Sequence, residues 1–197
     1  MKLYWSKQTR AARAVWMLEE AGVEYQLVDA AIGAEDRIDS EEFREASPMG
    51  KVPALVDGDV KMSESAAICL YVADRYSSGS LAPAVVDPAR GKFLYWIMYT
   101  PAVIEPAMNE KFNEIEPNPH RSGHGSFELM IKTLEDGLGE REWILGDQFT
   151  AADVMLGSSV VFMQMFGMLE ASPVLSAYAD RCLARGAYQK ALTLEAD

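Results

Sequence analysis

With 197 residues, the chain can form one large domain or two small ones, and its 49% hydrophobic and 24% charged residues are typical of a packed globular protein. Its formal net charge of −12 would repel a phosphate backbone, which argues against nucleic-acid binding. No apolar run approaches the roughly 20 residues of a membrane span, and Cys69 and Cys182 form no CxxC pair, so we expect two reduced thiols in a cytoplasmic protein.

The first part of the chain predicts alternating strands and helices. Residues 2–5 form a short strand candidate, and residues 11–21 form a helix that Gly22 closes in a left-handed conformation. Residues 23–28 then predict a second strand, so the three elements form the crossover unit of a parallel pair. Residues 30–46 are acidic and weakly patterned, which indicates a loop with a short helix.

A hairpin and a helix are predicted next. A strand begins after Pro53, Asp57-Gly58 forms a tight turn, and the chain returns as a further strand. Residues 65–76 have apolar side chains spaced for one face of a helix. This order of elements predicts a thioredoxin-like α/β domain over residues 1–77.

The remainder of the chain predicts helices only. A linker rich in Ser, Gly and Pro over residues 78–87 leads into an all-α helical bundle domain over residues 88–197, whose long first helix is interrupted near two prolines. Thr150 is placed to cap a helix, with Asp153 three residues on. This is a capping box with Asp in place of Glu, so we expect Asp153 to be structural.

Several common catalytic and metal-binding patterns are absent from the sequence. It contains no phosphate-binding glycine loop, no dinucleotide fingerprint and no nucleophile elbow. The only histidines, His120 and His124, lie in a loop rich in Pro and Gly without the pattern of a metal site. We therefore expect no bound metal.

Residues 6–10 lie where the first strand ends and the first helix begins. Backbone amides and hydroxyls at such a junction can stabilise an anion such as a thiolate, because a helix start carries partial positive charge. Ser6 and Thr9 can equally act as helix caps. The residues alone leave both roles open.

Four stretches of the sequence resemble the glutathione transferase superfamily. They read TRAARAVWMLEEAGV in the first helix, GKVPALVDGDVKMSESAAICLYVADRY over residues 50–76, FTAADVMLG in the second domain, and PVLSAYADRCLARGAYQKAL near the end. The resemblance covers almost the whole chain. It implies a thioredoxin-like domain that binds glutathione, followed by a helical domain that lines the pocket for an electrophile.

The resemblance also implies the residues that bind glutathione. The bond before Pro53 would be cis, and the backbone of Val52 would face outward and pair with the extended tripeptide. Glu64 would bind the amino group of the γ-glutamyl end, and Ser65, at a helix start, would bind its carboxylate. Lys51 would approach the glycyl carboxylate, with a solvated lysine as the alternative.

Residues for the chemical step follow from the resemblance with less support from the motifs. Thr9 aligns with the serine of the family pattern SRxxR and is the first candidate for a hydrogen bond to the thiol. Ser6 is the second, and Arg10 would add positive charge. Trp96 and Tyr99 are candidates for the electrophile pocket, with core packing as the alternative.

The predicted function is conjugation of the glutathione thiolate to small apolar electrophiles, a detoxification reaction, by a protein that forms homodimers. In such a dimer the first domain would pack against the helical domain of the partner. Two alternatives stay open. The chain could be another glutathione-dependent enzyme on the same fold, such as an isomerase, dehalogenase or ether-cleaving enzyme, or a non-catalytic protein that binds glutathione.

Overall fold

Two structural units make up the chain in the computed structural model. Unit 1 contains Met1–Ser78 together with the segment from Ala184 onward, and unit 2 contains Gly79–Leu183. The residues that the structure describes are 1–35, 37–118, 120–169 and 172–194.

Unit 1 is built on a four-stranded mixed sheet. Its strands are β1 (Lys2–Trp5), β2 (Gln26–Asp29), β3 (Ala54–Asp57) and β4 (Val60–Ser63), and they lie in the order β2-β1-β3-β4. β1 and β2 are parallel, whereas β3 is antiparallel to both β1 and β4. The predicted thioredoxin-like α/β fold is confirmed.

Three helices of unit 1 follow or separate these strands: α1 (Ala11–Ala21), α2 (Glu41–Ala46) and α3 (Ser65–Tyr76). α1 ends at Gly22, whose φ of 63° is the left-handed conformation predicted for it. The ring of Phe43 in α2 packs against Tyr4 of β1, at a centroid distance of 5.2 Å. Because side chains alternate along a strand, Leu3 and Trp5 lie on the opposite sheet face.

The predicted strand boundaries differ by a few residues from those in the structure. β2 begins at Gln26 rather than at residue 23, and the hairpin pairs Asp57 with Val60, so its two loop residues are Gly58 and Asp59. The loop is one residue later than predicted because Gly58, with a φ of 60°, supplies the left-handed conformation at its first position.

The C-terminal segment packs on unit 1 through α9 (Gly186–Thr193), which contacts α1. The guanidinium of Arg185 donates from Nε (2.5 Å) and Nη2 (2.7 Å) to the carboxylate of Glu20. Trp16 meets Tyr188 edge to face at 4.8 Å. The final helix of the predicted second domain over residues 88–197 therefore packs against α1 of unit 1.

Loss of the Arg185–Glu20 pair is expected to destabilise unit 1. In an Arg185→Met variant the nearly buried Glu20 carboxylate loses its cation, and because the Arg185 side chain is 29% exposed we expect a loss of only about 1–2 kcal/mol in the free energy of unfolding. Urea unfolding measures this loss.

A matched control is Arg44→Met, which removes an ion pair with Asp39 whose side chains are both about two-thirds exposed. Solvent screens this pair, so the change should stay within about 0.5 kcal/mol. Equal losses in the two variants would contradict a special role for Arg185.

Among the residues that the structure describes, unit 2 contains helices and no β-strand. A π-helical turn, Thr100–Ile104, separates the first two helices of this unit. The turn contains Pro101 and lies just before Pro106, so the interruption falls where it was predicted from the missing N–H of proline. In the described part of the chain, no helix combines the length and apolar character needed to cross a membrane. The helices are α4 (Arg90–Tyr99), α5 (Glu105–Phe112), α6 (Phe127–Leu138), α7 (Ala151–Met165) and α8 (Pro173–Leu183).

Asp153 joins three parts of unit 2. One carboxylate oxygen accepts hydrogen bonds from the amide (2.9 Å) and hydroxyl (3.2 Å) of Thr150, which confirms the predicted capping box at the start of α7. The other oxygen accepts from the amide of Ile144 and from the hydroxyl of Tyr178 in α8, both at 2.9 Å. The carboxylate is fully buried, so it is structural, as expected.

Candidate functional site

One end of the sheet in unit 1 brings three predicted segments together. Tyr4 pairs with Ala54, and Ala54 pairs with Ser63. The end of β1, the start of β3 and the end of β4 therefore lie side by side at this end of the sheet, which we call the edge of the site. The segments that follow β1 and β4 and precede β3, which carry the predicted glutathione and thiol residues, all extend from this edge.

Two helices begin at the same edge. α1 starts directly after the β1 loop, and α3 starts directly after β4, and the two helices pack against each other. The first amides of a helix lack intrahelical acceptors and carry partial positive charge. An anion bound at this edge is thus favoured by two helix N-termini.

The residues before β3 leave their backbone open. The Val52-Pro53 bond is cis, as the resemblance implies. Within the described residues, neither the N–H nor the C=O of Val52 forms a hydrogen bond, so both are available to an added extended segment. Lys51 is exposed, and its amide donates to the hydroxyl of Ser47 at 2.9 Å.

Two residues that support this loop were not predicted as site residues. The buried hydroxyl of Ser47 accepts from the amide of Lys51 and so fixes the loop that leads to Val52. The guanidinium of Arg37 donates to the carbonyl of Gly50, which places a second cation beside Lys51. Arg37 lies in the weakly patterned 30–46 segment, where the sequence offers no signal for it.

Glu64 and Ser65 form the junction between β4 and α3. Glu64 is exposed and has φ 73° and ψ 117°, a conformation that costs a residue with a side chain about 1–3 kcal/mol. Residues held in such conformations cluster at ligand sites. Ser65 is the first residue of α3 and is buried, so it lies at a helix start whose first amides lack intrahelical acceptors.

Both hydroxyls predicted to contact the thiol are engaged within the protein. Ser6 donates to the carboxylate of Asp29 (3.0 Å) and accepts from the amide of Ile32 (3.2 Å). Thr9 donates to the carbonyl of Ser6 (2.7 Å) and accepts from the amide of Ala11 (3.2 Å). Each hydroxyl has a single hydrogen, and both hydrogens are donated to acceptors within the protein.

Arg10 and Trp5, which flank these hydroxyls in the sequence, differ in their surroundings. Arg10 is exposed and occupies the capping position of α1, so its charge lies at the helix start. Trp5, the last residue of β1, was not predicted as a site residue. It is 5% exposed, and its indole N–H has no acceptor among the described residues.

Comparison with known proteins agrees with the motifs and the fold. The glutathione S-transferase N-terminal domain matches residues 1–74, and the corresponding C-terminal domain matches residues 110–181. Glutathione S-transferase F10 of Arabidopsis thaliana is 31% identical over 72% of this chain and 71% of its own length. The chain belongs to the glutathione S-transferase family. Relatives with this enzyme name include proteins of Escherichia coli O157:H7, Hyoscyamus muticus and Hypomyces subiculosus.

Other relatives of this glutathione S-transferase cover nearly the whole chain. Glutathione S-transferase GstA of Escherichia coli O157:H7 is 24% identical over 99% of this chain and 98% of that protein. Among solved structures, a ternary complex of BphK, a bacterial glutathione S-transferase, covers 98% of both chains with a TM-score of 0.80 and 27% identity. A sphingomonad glutathione S-transferase complexed with glutathione has the same TM-score and identity, and covers 98% of this chain and 97% of its own.

The two aromatic residues predicted for the electrophile pocket lie in the interior of unit 2. Trp96 and Tyr99 are both buried, with ring centroids 5.1 Å apart. The Trp96 ring lies so close to Gly137 of α6 that a Cβ there would be 2.4 Å from it, and the Tyr99 hydroxyl donates to the carbonyl of Met130 at 3.4 Å. Core packing, the alternative considered from the sequence, describes both side chains.

Other apolar side chains, three of them phenylalanines, lie at the surface of unit 2. Phe112, Met165 and Phe166 are 68%, 73% and 61% exposed, and Phe166 lies between Phe112 (6.5 Å between centroids) and Phe162 (6.4 Å). We call these four residues the phenylalanine patch. A contiguous exposed apolar surface of this kind is typical of a binding site.

Proposed function

We propose that this glutathione S-transferase conjugates the thiolate of glutathione to small apolar electrophiles. The observation that carries the proposal is the unpaired backbone of Val52, which lies at the sheet edge where α1 and α3 begin. Glutathione is a short extended peptide with anionic ends and a thiol. It can pair with an open backbone and place its charges at helix N-termini.

Each part of the tripeptide has a complementary group in the proposed complex. The cysteinyl backbone pairs with Val52, and the γ-glutamyl carboxylate accepts from the hydroxyl and amide of Ser65. Glu64 binds the amino group through a charge-assisted hydrogen bond. Lys51 and Arg37, both exposed beside Gly50, attract the glycyl carboxylate.

The chemical step then requires a thiolate and a nearby electrophile. The bound thiol releases its proton to solvent water, and the sulfur forms a bond to the electrophilic atom of the second substrate, which loses its leaving group or accepts the electron pair. The positive field of two helix starts favours the thiolate. Holding both substrates together supplies the remaining acceleration through proximity.

Thiolate absorbance of bound glutathione tests the proposal directly. We expect the pKa of the thiol to fall on binding, and S-methylglutathione, which has no thiol, serves as the blank. Titration at saturating protein compares the bound with the free thiol. Saturable binding with an unchanged thiol pKa would contradict the proposed activation.

A Ser65→Ala variant is expected to lose most of its affinity for glutathione. A hydrogen bond to a charged group contributes about 1.5–3 kcal/mol, so the dissociation constant should rise about ten- to hundred-fold. Isothermal calorimetry measures the change. Ser77→Ala, at the opposite end of α3, is the control and should bind as the unmodified protein does. Unchanged affinity in Ser65→Ala would exclude this residue from the site.

The phenylalanine patch is the part of unit 2 that is proposed to bind apolar electrophiles. In a Phe166→Ala variant, we expect the KM for an apolar electrophile to rise about tenfold, because the ring of an exposed side chain is removed from the patch, while glutathione affinity is unchanged. Steady-state kinetics with each substrate varied in turn separates the effect on the electrophile from the effect on glutathione. Leu129→Ala, an exposed apolar residue of α6, is the control. A loss of glutathione affinity instead would contradict the assignment.

One observation favours a second function, a protein that binds glutathione without conjugating it. The hydroxyls of Ser6 and Thr9 both make internal hydrogen bonds, which leaves the thiol without a hydroxyl donor. Retention on glutathione resin together with no conjugation of any member of a broad electrophile panel would select this alternative over the transferase.

A homodimer is part of the proposal. Leu94, Tyr95 and Met98 lie on one face of α4 and are 38–53% exposed, which supplies an apolar surface for a second copy. Sedimentation equilibrium should give twice the 21.8 kDa mass of the chain. A monomer at micromolar concentration would exclude the dimer.

A further inference from the structure

A cavity of about 440 Å³ lies in unit 2, between α5, the start of α6 and the loop that joins them. Its volume is within the range of sites that enclose small organic molecules, about 300–1,000 Å³. The described residues that line it all lie between positions 107 and 128, so they belong to unit 2. The residues proposed to bind glutathione belong to unit 1, and none of them lines this cavity.

The cavity is also separate from the phenylalanine patch. Ala107 and Lys111 are four residues apart in α5, so both lie on the helix face that lines the cavity. Phe112 is rotated by about 100° from Lys111 around the helix axis. Its ring meets the ring of Phe166, the residue after α7. A ligand in the cavity therefore lies on a different side of α5 from the proposed electrophile.

Part of the lining is apolar. It is made of the Phe127 ring at the start of α6 and the side chains of Ala107, Ile115 and Pro117. Ile115 is 51% exposed, so a large aliphatic side chain of this cavity is in contact with water. A ligand with an apolar group removes this surface from water, which favours its binding.

The charged part of the lining is mainly anionic. Glu110, Glu114 and Glu128 supply three carboxylates and Lys111 supplies one ammonium, so these four groups have a formal charge of −2 at pH 7. Nε2 of His124 lies 2.9 Å from the Glu110 carboxylate, and Nζ of Lys111 lies 3.9 Å from that of Glu128. Glu114 has no ion pair within the described part of the chain. The cavity therefore attracts cations and repels anions such as glutathione.

A cation of the chain itself lies on the aromatic part of this lining. The ammonium of Lys111 is 5.3 Å from the centroid of the Phe127 ring and 3.9 Å from the carboxylate of Glu128. A ring face beside a carboxylate favours a cation, because the ring face also carries negative charge density. The Lys111 side chain is 50% exposed and flexible, so it can turn into solvent and leave this position to a ligand cation.

The spacing of the carboxylates favours an organic cation over a metal ion. Within the described residues, no three side chains of His, Cys, Asp or Glu are placed to hold a metal ion together. The carboxylates surround a wide space, and those of Glu114 and Glu128 belong to exposed residues. An organic ammonium suits this arrangement, because its charge meets a carboxylate near solvent while its apolar group fills the space between them.

We propose that this cavity binds an organic amine whose cationic nitrogen is attached to an apolar or aromatic group. The ammonium donates to the carboxylate of Glu114, and the apolar group covers Ile115 and the ring of Phe127. No covalent bond forms or breaks. The inference goes beyond the proposed function and does not depend on it, because no residue of the glutathione site takes part.

Calorimetric titration with phenethylamine tests the proposal, with the neutral phenethyl alcohol and the anionic hydrocinnamate as matched ligands. We expect one saturable site for the amine, an affinity about tenfold or more weaker for the alcohol, and no binding of the anion. Salt should weaken the binding of the amine by screening the carboxylates. Equal affinities for amine and alcohol, or no saturable binding of the amine at millimolar concentration, would overturn the proposal.

A Glu114→Gln variant locates the bound amine. It removes one negative charge from the lining, so we expect the dissociation constant for phenethylamine to rise about threefold to tenfold, and to rise further when Glu110→Gln and Glu128→Gln are added. Glu140→Gln is the control, because this exposed residue just beyond the other end of α6 gives the same change in net charge. Equal losses in Glu114→Gln and Glu140→Gln would show that the amine responds to net charge alone and would overturn the assignment.

Glutathione binding separates this inference from the proposed function. Glutathione affinity should be the same in Glu114→Gln as in the unmodified protein, and phenethylamine should bind equally well when glutathione is present. If glutathione abolished binding of the amine, the amine would occupy the glutathione site, which overturns the inference and leaves the proposed function standing. Failure of glutathione to bind would overturn the proposed function alone.

Discussion

Replacing Asp153 by alanine is expected to lower the free energy of unfolding by about 3–5 kcal/mol. The substitution leaves three buried donors without an acceptor, namely the Thr150 amide, the Ile144 amide and the Tyr178 hydroxyl, and each such group costs about 1–3 kcal/mol. The burial of a charge is relieved at the same time, which offsets part of the sum. Urea unfolding monitored by circular dichroism measures the loss.

Asp180→Ala is the matched control, because Asp180 is an exposed residue of α8. Its removal should change the free energy of unfolding by less than about 0.5 kcal/mol. Since the Asp153 carboxylate also joins α7 to α8, amide exchange in both helices should accelerate in Asp153→Ala. A loss no larger than that of Asp180→Ala would show that the four hydrogen bonds contribute nothing to stability.

Acid is expected to increase the contribution of Asp153 to stability. Burial raises the pKa of Asp153 from 3.8 to about 6, while the four donors limit the rise. Between these two values the folded protein binds more protons at this group than the unfolded chain does. The contribution is therefore fully present below about pH 4 and is lost as pH rises through 6, by up to about 3 kcal/mol.

Unfolding of the unmodified protein and of Asp153→Asn in parallel isolates this group, because other titrations cancel in the difference. The stability of the unmodified protein relative to the variant should fall between pH 4 and pH 7. A difference that stays constant over this range, or that grows with pH, would show that the folded-state pKa of Asp153 is not raised.

Much of the fold could be predicted because local signals and tertiary packing agree. α3 begins and ends at the predicted residues, since its apolar side chains repeat at helical spacing. The capping box of Thr150 and Asp153 was predicted from their spacing alone. The two prolines of the first helix in unit 2 marked its interruption.

Residues 188–194 were predicted as a helix of the second domain, whereas α9 groups with unit 1 in the structure. Helical spacing in α9 shows that it has an apolar face, but not which surface covers that face. Arg185 and Glu20 are 165 residues apart in the sequence, and no local sequence pattern indicates that they pair. The unit to which a helix belongs depends on such long-range contacts.

Site residues that are defined by their place in the backbone were easier to predict than those that must donate a hydroxyl hydrogen to the ligand. Val52 and Ser65 occupy the expected strand edge and helix start, although their ligand roles stay proposals. Ser6 and Thr9 have suitable hydroxyls, yet only the folded loop shows that their hydrogens are used internally. The unpaired indole N–H of Trp5 could not be predicted either, because a sequence does not show whether an indole N–H has an acceptor.

The return of α9 to unit 1 has a consequence for how the chain folds during synthesis. Unit 2 is continuous in sequence, so all of its described helices are available once Leu183 has left the ribosome. Unit 1 by then lacks the helix that covers Trp16 and supplies the cation for Glu20. We therefore expect the sheet-containing half, although translated first, to reach its final stability last.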